Sequence, residues 1–347
     1  MLIRPALLAL TLLLVRCGEP PMLGQEVPLF DPNTLTAQFQ TVADRAGSGT
    51  LGVAVEDLRT GQVMSFNGER RFPLQGVSKA PLGAAVLAEV DAGRLKLDQT
   101  VTIEDEDLSP PYSPIADAWP GRKDYTIGDL LERAVGDSDN TAADLLMREI
   151  GGPGAVTAWL QSRKIERLDI DRYTRQLEPD SLGLASFRPD WKGEAAYRAA
   201  LGAVPAQARR RATLASLTDP KDTATPLAAV RFLEALNQNE LLSPASTQRL
   251  IGLMIHSPAA PGRLRAALPN EAGLAHMGGT ARTDLGFTPV VNDIGTYRLK
   301  DGRKVAVAVF LSGSSLGEVE QERLIADVGR IVIKAAGEVK SGSSSPR

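Results

Sequence analysis

The sequence predicts a mixed α/β fold of the α+β type, one sheet with a helical lobe. Two observations lead there. Strand-forming segments sit near both ends of the chain, so one sheet collects them, and helical spacing fills the stretch between. A composition of 43% hydrophobic and 23% charged residues over 347 positions supplies an ordinary globular core.

The elements follow in order. Leu51, Val53 and Val55 alternate with other residues, the two-residue period of a strand. Arg59-Thr60-Gly61 makes a turn, and Gln62 to Phe66 returns as a partner strand. Leu82, Val86 and Val90 then fall four apart, and Ile127, Leu130, Leu131 and Ala134 follow the i, i+3, i+4, i+7 stripe of an amphipathic helix. Gly151-Gly152-Pro153 breaks one helix and opens the next segment. Helical stretches continue to about Leu253. Val291 to Leu299 and the valine-rich Lys304 to Ser312 read as late strands joined by an Asp301-Gly302 turn. Leu324, Ile325, Val328, Ile331 and Val332 form a closing helix.

The N-terminus reads as an export signal. Arg4 supplies a positive start, and the apolar run Ala6 to Val15 is too short to span a bilayer. Cys17, the one cysteine, follows at once. It is either a lipid-modified residue or a bystander of an ordinary signal peptide, and Arg16 before it speaks against lipidation. Residues 1–17 are thus assigned to the signal and the Gly- and Pro-rich residues 18–33 to a linker. The serine-rich residues 340–347 have nothing to bury and are expected to be a disordered tail. The expected location is the periplasm or cell envelope, with a lipid anchor at Cys17 as the sole membrane contact, or the medium.

A net charge of -3 gives no global basic field, so no nucleic-acid partner is expected. Arg209-Arg210-Arg211 reads as a solvated helix face. Two separated histidines, His256 and His276, and a single N-terminal cysteine leave a zinc site unsupported. No cofactor and no metal are expected, and the chain is expected to be a monomer.

Three short motifs carry the chemistry. Phe72-Pro73-Leu74-Gln75-Gly76-Val77-Ser78-Lys79 opens a helix, Ser138-Asp139-Asn140 opens another, and His276-Met277-Gly278-Gly279-Thr280 lies on a strand before a turn. In this order they resemble the S-x-x-K, S-D-N and K-T-G motifs of class A β-lactamases and related penicillin-recognising proteins. Tyr112-Ser113-Pro114, Gly151-Gly152-Pro153, Asp219 to Pro226 and Asn292-Asp293-Ile294-Gly295 match further family segments. The resemblance implies an antiparallel sheet flanked by helices plus an all-helical lobe. It assigns residues 34–339 to one domain, with a sheet lobe from 34–72 and 265–339 and a helical lobe from 73–264.

The same resemblance implies site roles, and here the sequence departs from the pattern. Gly76 stands where the family has its nucleophilic serine, and glycine has no side chain to form an ester. Ser78 precedes Lys79 directly, about 100° away around a helix, and is expected as an N-cap. Lys79, Ser138 and Asn140 are the retained catalytic positions. A buried lysine needs partners, and Ser138 and Asn140 are the expected ones. Asp139 is expected to turn inward to backbone groups. Met277 and Gly278 replace the lysine and hydroxyl that grip a substrate carboxylate. Arg282 is a candidate substitute charge, and Tyr112, Asn140, Gly279, Thr280 and Arg282 make up the expected substrate-binding set. The family's deacylating glutamate aligns with Thr174, or with Glu178 if the loop is shifted; Trp191 to Ala212 adds helix at its rim. His276 is expected to be structural.

Three functional readings follow. One is a catalytically impaired relative that binds a β-lactam-like or cell-wall peptide ligand. The second is an active β-lactam hydrolase of the resistance or catabolic kind with a rewired site, Ser78 or Ser138 attacking and Glu178 as base. The third is a structural envelope protein with no ligand.

Overall fold

A computed structural model describes residues 29–269 and 272–337. The signal, Cys17 and the tail 340–347 lie outside the described residues. The expected linker ends sooner than residue 33. Leu29 and Phe30 are buried, and Phe30 exchanges two hydrogen bonds with the Gln62 side chain, of 3.0 and 2.8 Å. An apolar pair at this point has a core to enter, which linker composition does not reveal.

Helix α1 (Pro32–Ala43) precedes strands β1 (Thr50–Asp57), β2 (Gln62–Phe66) and the short β3 (Phe72–Pro73). The helical region runs through α2 (Lys79–Asp91), a β4–β5 pair (Thr100–Thr102, Asp124–Thr126) enclosing α3 (Pro114–Ala118), then α4 (Ile127–Leu131). It continues with α5 (Asn140–Glu149), α6 (Pro153–Ser162), α7 (Thr174–Ser181), α8 (Glu194–Gly202) and α9 (Ala206–Ser216). After β6 (Thr223–Ala224) come α10 (Pro226–Asn237), α11 (Pro244–His256) and α12 (Leu264–Ala267). Strands β7 (Ala275–Thr280), β8 (Val290–Arg298) and β9 (Lys304–Ser312) and helix α13 (Glu318–Gly337) close the fold.

Several helices begin by one rule. Asp31-Pro32, Ser113-Pro114, Thr225-Pro226 and Ser243-Pro244 each place a capping oxygen before a proline whose missing N–H costs nothing there. The stripe expected to run helically to Ala134 breaks after Leu131, where residues Glu132–Gly136 widen into a π turn.

The main sheet has the order β2-β1-β9-β8-β7 and all its pairings are antiparallel. Strand β1, from one end of the chain, thus lies against β9, from the other, with Val53 opposite Val309. One apolar cluster packs Leu35, Val53, Val309, Val328 and Val332 between one sheet face, α1 and α13. The other joins Ala54, Phe72, Ala308 and Phe310 to Leu82, Leu131, Leu146 and Phe232. That cluster runs without interruption from the sheet into the helices, so the expected boundaries at 73 and 264 are not gaps in packing. Helix α2 is buried from Lys79 to Ala88 because it forms the middle of this layer. β1 is buried on both faces for the same reason, and its Glu56 lies against Glu234 of α10.

Candidate functional site

Residues 72–79 enter the site under tight control. β3 pairs with β6, Leu74 N–H donates to Asp222 O at 2.9 Å, and Asn292 Nδ2 donates to Pro73 O at 2.7 Å. A single 3-10 turn over Gln75–Ser78 then hands the chain to α2, whose first residue is Lys79. Edge strand β7 runs directly beside this turn.

Between them opens a cleft of about 600 Å³. Gly76, Ser78, Lys79, Tyr112, Ser138, Asn140, Thr174, Glu178, Thr280 and Arg282 all line it. Gly279 also belongs to β7 but turns toward the 3-10 turn rather than the opening. Tyr112 stands at the mouth, 60% exposed.

Lys79 Nζ donates to Ser138 O at 2.6 Å, Ser138 Oγ at 3.0 Å and Asn140 Oδ1 at 2.8 Å. The Asn140 amide is fixed in this sense because its Nδ2 donates to Pro110 O at 3.1 Å. Burial pushes the Lys79 amine down to about 8, while the charges of Asp139, Asp144 and Glu178 act to raise it. Ser138 has φ 62°, the left-handed region that a serine adopts only under constraint. Asp139 caps α5 through Ala142 N–H at 3.0 Å and accepts from Ile115 N–H at 2.7 Å and Ser113 Oγ at 2.8 Å. Burial raises its carboxyl, and those hydrogen bonds oppose the rise.

Ser78 does not cap α2. Its backbone is already helical and its hydroxyl donates to Gln75 O at 2.9 Å. With the 3-10 turn leading directly into the helix, the carbonyl three residues back is the nearer partner.

Thr174 and Glu178 occupy one face of α7, one turn apart. Thr174 N–H donates to Asp144 Oδ1 at 2.6 Å. Glu178 Oε1 accepts from Arg282 Nε at 2.8 Å. Burial raises the Glu178 carboxyl, and the Arg282 charge opposes this. Arg282 is neither a solvated turn residue nor a free cation. It also pairs with Glu194 of α8 at 3.0 Å, donates to Pro111 O at 3.1 Å, and lies 4.9 Å over the Tyr197 ring. Two carboxylates neutralise it, so it is not a spare charge for a ligand's carboxylate.

Sequence reasoning missed Arg263. It is 3% exposed and borders the cleft, with Nη1 donating to Asn292 O at 2.9 Å and Gly279 O at 3.2 Å. Nη2 donates to Thr280 Oγ1, and Nε pairs with Glu322 at 3.1 Å. Nothing in Pro261-Gly262-Arg263-Leu264-Arg265 distinguishes the buried arginine from its neighbour. Met277 is buried in the helical core instead of reaching the cleft. His276 lies in the sheet with Nδ1 3.0 Å from Asp293 Oδ1, and His256 ends α11 on Gly252 O at 2.8 Å. Among the described residues no group of His, Cys, Asp or Glu side chains is placed to hold a metal ion.

The glycines of the first and third motifs pack on one another. A Cβ on Gly76 would stand 2.7 Å from Gly278 O, and a Cβ on Gly279 would stand 2.6 Å from Leu74 O and 3.1 Å from Gly76 N. A Cβ on Gly278 would stand 2.6 Å from Ala260 Cβ and 3.1 Å from Arg263 Nη1. Strand backbone thus crowds the Cβ of any other residue at 76, and side chains crowd that of any other residue at 278.

Comparison with known proteins agrees with this architecture. A family model described as the β-lactamase enzyme family matches residues 34–336. β-Lactamase VEB-1 of Pseudomonas aeruginosa is 27% identical over 86% of this chain and 89% of its own length. β-Lactamase L2 of Stenotrophomonas maltophilia is 29% identical over 87% of each. Among solved structures, the class A β-lactamase of the last common ancestor of Gram-negative bacteria superposes with a TM-score of 0.71 at 33% identity, covering 87% of this chain and 99% of that one. A β-lactamase from Chitinophaga pinensis gives 0.72 at 29%, covering 88% of this chain and 100% of its own. The antiparallel sheet and the helical layer are those of class A β-lactamase structures, and the chain belongs to the β-lactamase enzyme family, on the class A side.

Proposed function

We propose that this protein is an exported, catalytically impaired member of its family that holds a β-lactam-like or cell-wall peptide ligand in the cleft and does not turn it over through an ester at position 76. The observation that carries the reading is the contact of Gly76 with Gly278 O, 2.7 Å from where a side chain would begin. It supports a site in which the hydroxyl is absent and strand backbone crowds the position of any Cβ that would carry one. The cleft keeps polar groups suited to an amide ligand: Asn140, Thr280 and the Lys79 cluster. Family-wide similarity supports the ligand class.

The test uses the chain lacking its first 25 residues. Equilibrium dialysis against labelled benzylpenicillin and a stem-peptide fragment measures binding, and nitrocefin absorbance measures hydrolysis. Saturable binding with no steady turnover is the expected result. Turnover near the ordinary enzymatic range, about 10 per second, would overturn the impairment. Binding of neither probe would overturn the ligand assignment.

A further inference from the structure

We propose that Ser138 is a nucleophile of this cleft, with Lys79 as its base, and that it captures a reactive acyl ligand as a long-lived ester. The inference rests on the cleft being the ligand site, as proposed above.

Hydrogen-bond arithmetic at Lys79 carries it. A neutral amine has two N–H groups and one lone pair. Two partners of Nζ, Ser138 O at 2.6 Å and Asn140 Oδ1 at 2.8 Å, are obligate acceptors and take both N–H groups. The third, Ser138 Oγ at 3.0 Å, is a hydroxyl and serves as donor or acceptor. Loss of the ammonium proton therefore costs no hydrogen bond; the contact to Oγ simply reverses. Nζ then accepts the Ser138 hydroxyl proton, the relation of base to nucleophile in serine–lysine catalysis. Burial acts in the same direction, holding the amine near 8 against the opposing charges of Asp139, Asp144 and Glu178.

Placement agrees. Ser138 lines the cleft, whereas Ser78 commits its hydroxyl to Gln75 O at 2.9 Å. Ser138 stands just before the N-cap of the ten-residue helix α5, whose positive end favours negative charge developing on Oγ. Its φ of 62° holds it there.

In the step, the Oγ proton passes to the Nζ lone pair as Oγ bonds the acyl carbon. The bond from that carbon to the leaving group then breaks, its electron pair stays on the leaving nitrogen of a lactam or oxygen of an ester, and Lys79 returns the proton to that atom. Release of the captured ester needs a water and a base. Glu178 is engaged by Arg282 at 2.8 Å, and release through it is taken to be slower than capture.

Intact mass spectrometry with peptide mapping tests this, using benzylpenicillin and the small ester p-nitrophenyl acetate, which needs no recognition. One added acyl group on the Ser138 peptide is expected. It should vanish in Ser138→Gly, a substitution suited to a positive φ, and persist in Ser78→Ala. Lys79→Met should slow capture about 100-fold or more, and the wild-type rate should climb with pH and level off above about 8. Penicillin bound without an adduct from either probe, or adducts that survive in Ser138→Gly, overturns the nucleophile. An adduct from the small ester alone, with no penicillin or stem-peptide binding, keeps the nucleophile and overturns the ligand reading.

Discussion

The carbonyl oxygen of Gly278 lies 2.7 Å from where the Cβ of any other residue at Gly76 would stand. Gly76→Ser is the obvious restoration of the family motif, and this contact predicts that it fails. The obstacle is strand backbone, which cannot rotate aside as a side-chain tip does. The variant should lose about 1–3 kcal/mol of stability from overpacking and gain no nitrocefin turnover. Urea denaturation and the absorbance assay check both halves.

The buried pair of Arg282 and Glu178 makes a second prediction. Arg282→Gln leaves a carboxyl that burial already raises without its opposing charge. The loss should be about 3 kcal/mol at pH 8, the low end for a broken buried pair because both partners keep some water. It should be smaller at pH 5, since burial favours the proton on Glu178 and a lower pH moves the carboxyl toward that neutral form. Denaturation of wild type and variant at the two pH values measures the difference.

Glu56 titrates on the opposite wall of the core. Burial first, then the negative charge of Glu234, pushes its carboxyl from 4.5 up to about 7. The folded protein therefore binds this proton more tightly than the unfolded chain. That contribution to stability is complete below about 4.5 and lost as the pH rises through about 7. Glu56→Gln should stabilise the protein at pH 8 by on the order of 2 kcal/mol and change little at pH 5. Urea denaturation of both proteins at the two pH values measures it.

Asn292 ties the late strands to the start of the site, donating to Pro73 O at 2.7 Å and accepting from Leu311 N–H at 3.3 Å. Asn292→Ala strands a buried carbonyl and should cost ~2–3 kcal/mol. Faster amide hydrogen exchange should appear at Gly76 and Val77, beside the bond removed, before it appears in β1.

Much of this was readable in advance. Strand β9 was legible to the residue because a valine-rich segment buried on both faces has no polar interruptions to blur it. The Ser138-Asp139-Asn140 turn was legible because those residue types favour a helix start, and three Nζ contacts now show which groups it gathers. The Ser78 hydroxyl was misread because a cap and an i−3 carbonyl compete locally, and composition does not decide between them. Arg263 and the partners of Arg282 were out of reach. Their contacts join α7, α8, the segment after β7 and α13, and no local pattern encodes a pairing between distant segments. The glycine contacts belong to the same class, since a missing side chain announces an absence but not what fills it.

The pairing of β1 with β9 also governs the order in which the molecule comes into being. The middle of the sheet needs residues made first and residues made almost last. During synthesis β1 has only β2 beside it while the whole helical region emerges, and the cleft waits for β7 to arrive against the start of α2. A chain stopped before residue 304 therefore carries helices α1 to α12 and lacks β9, the strand that joins the β1–β2 pair to the β8–β7 pair.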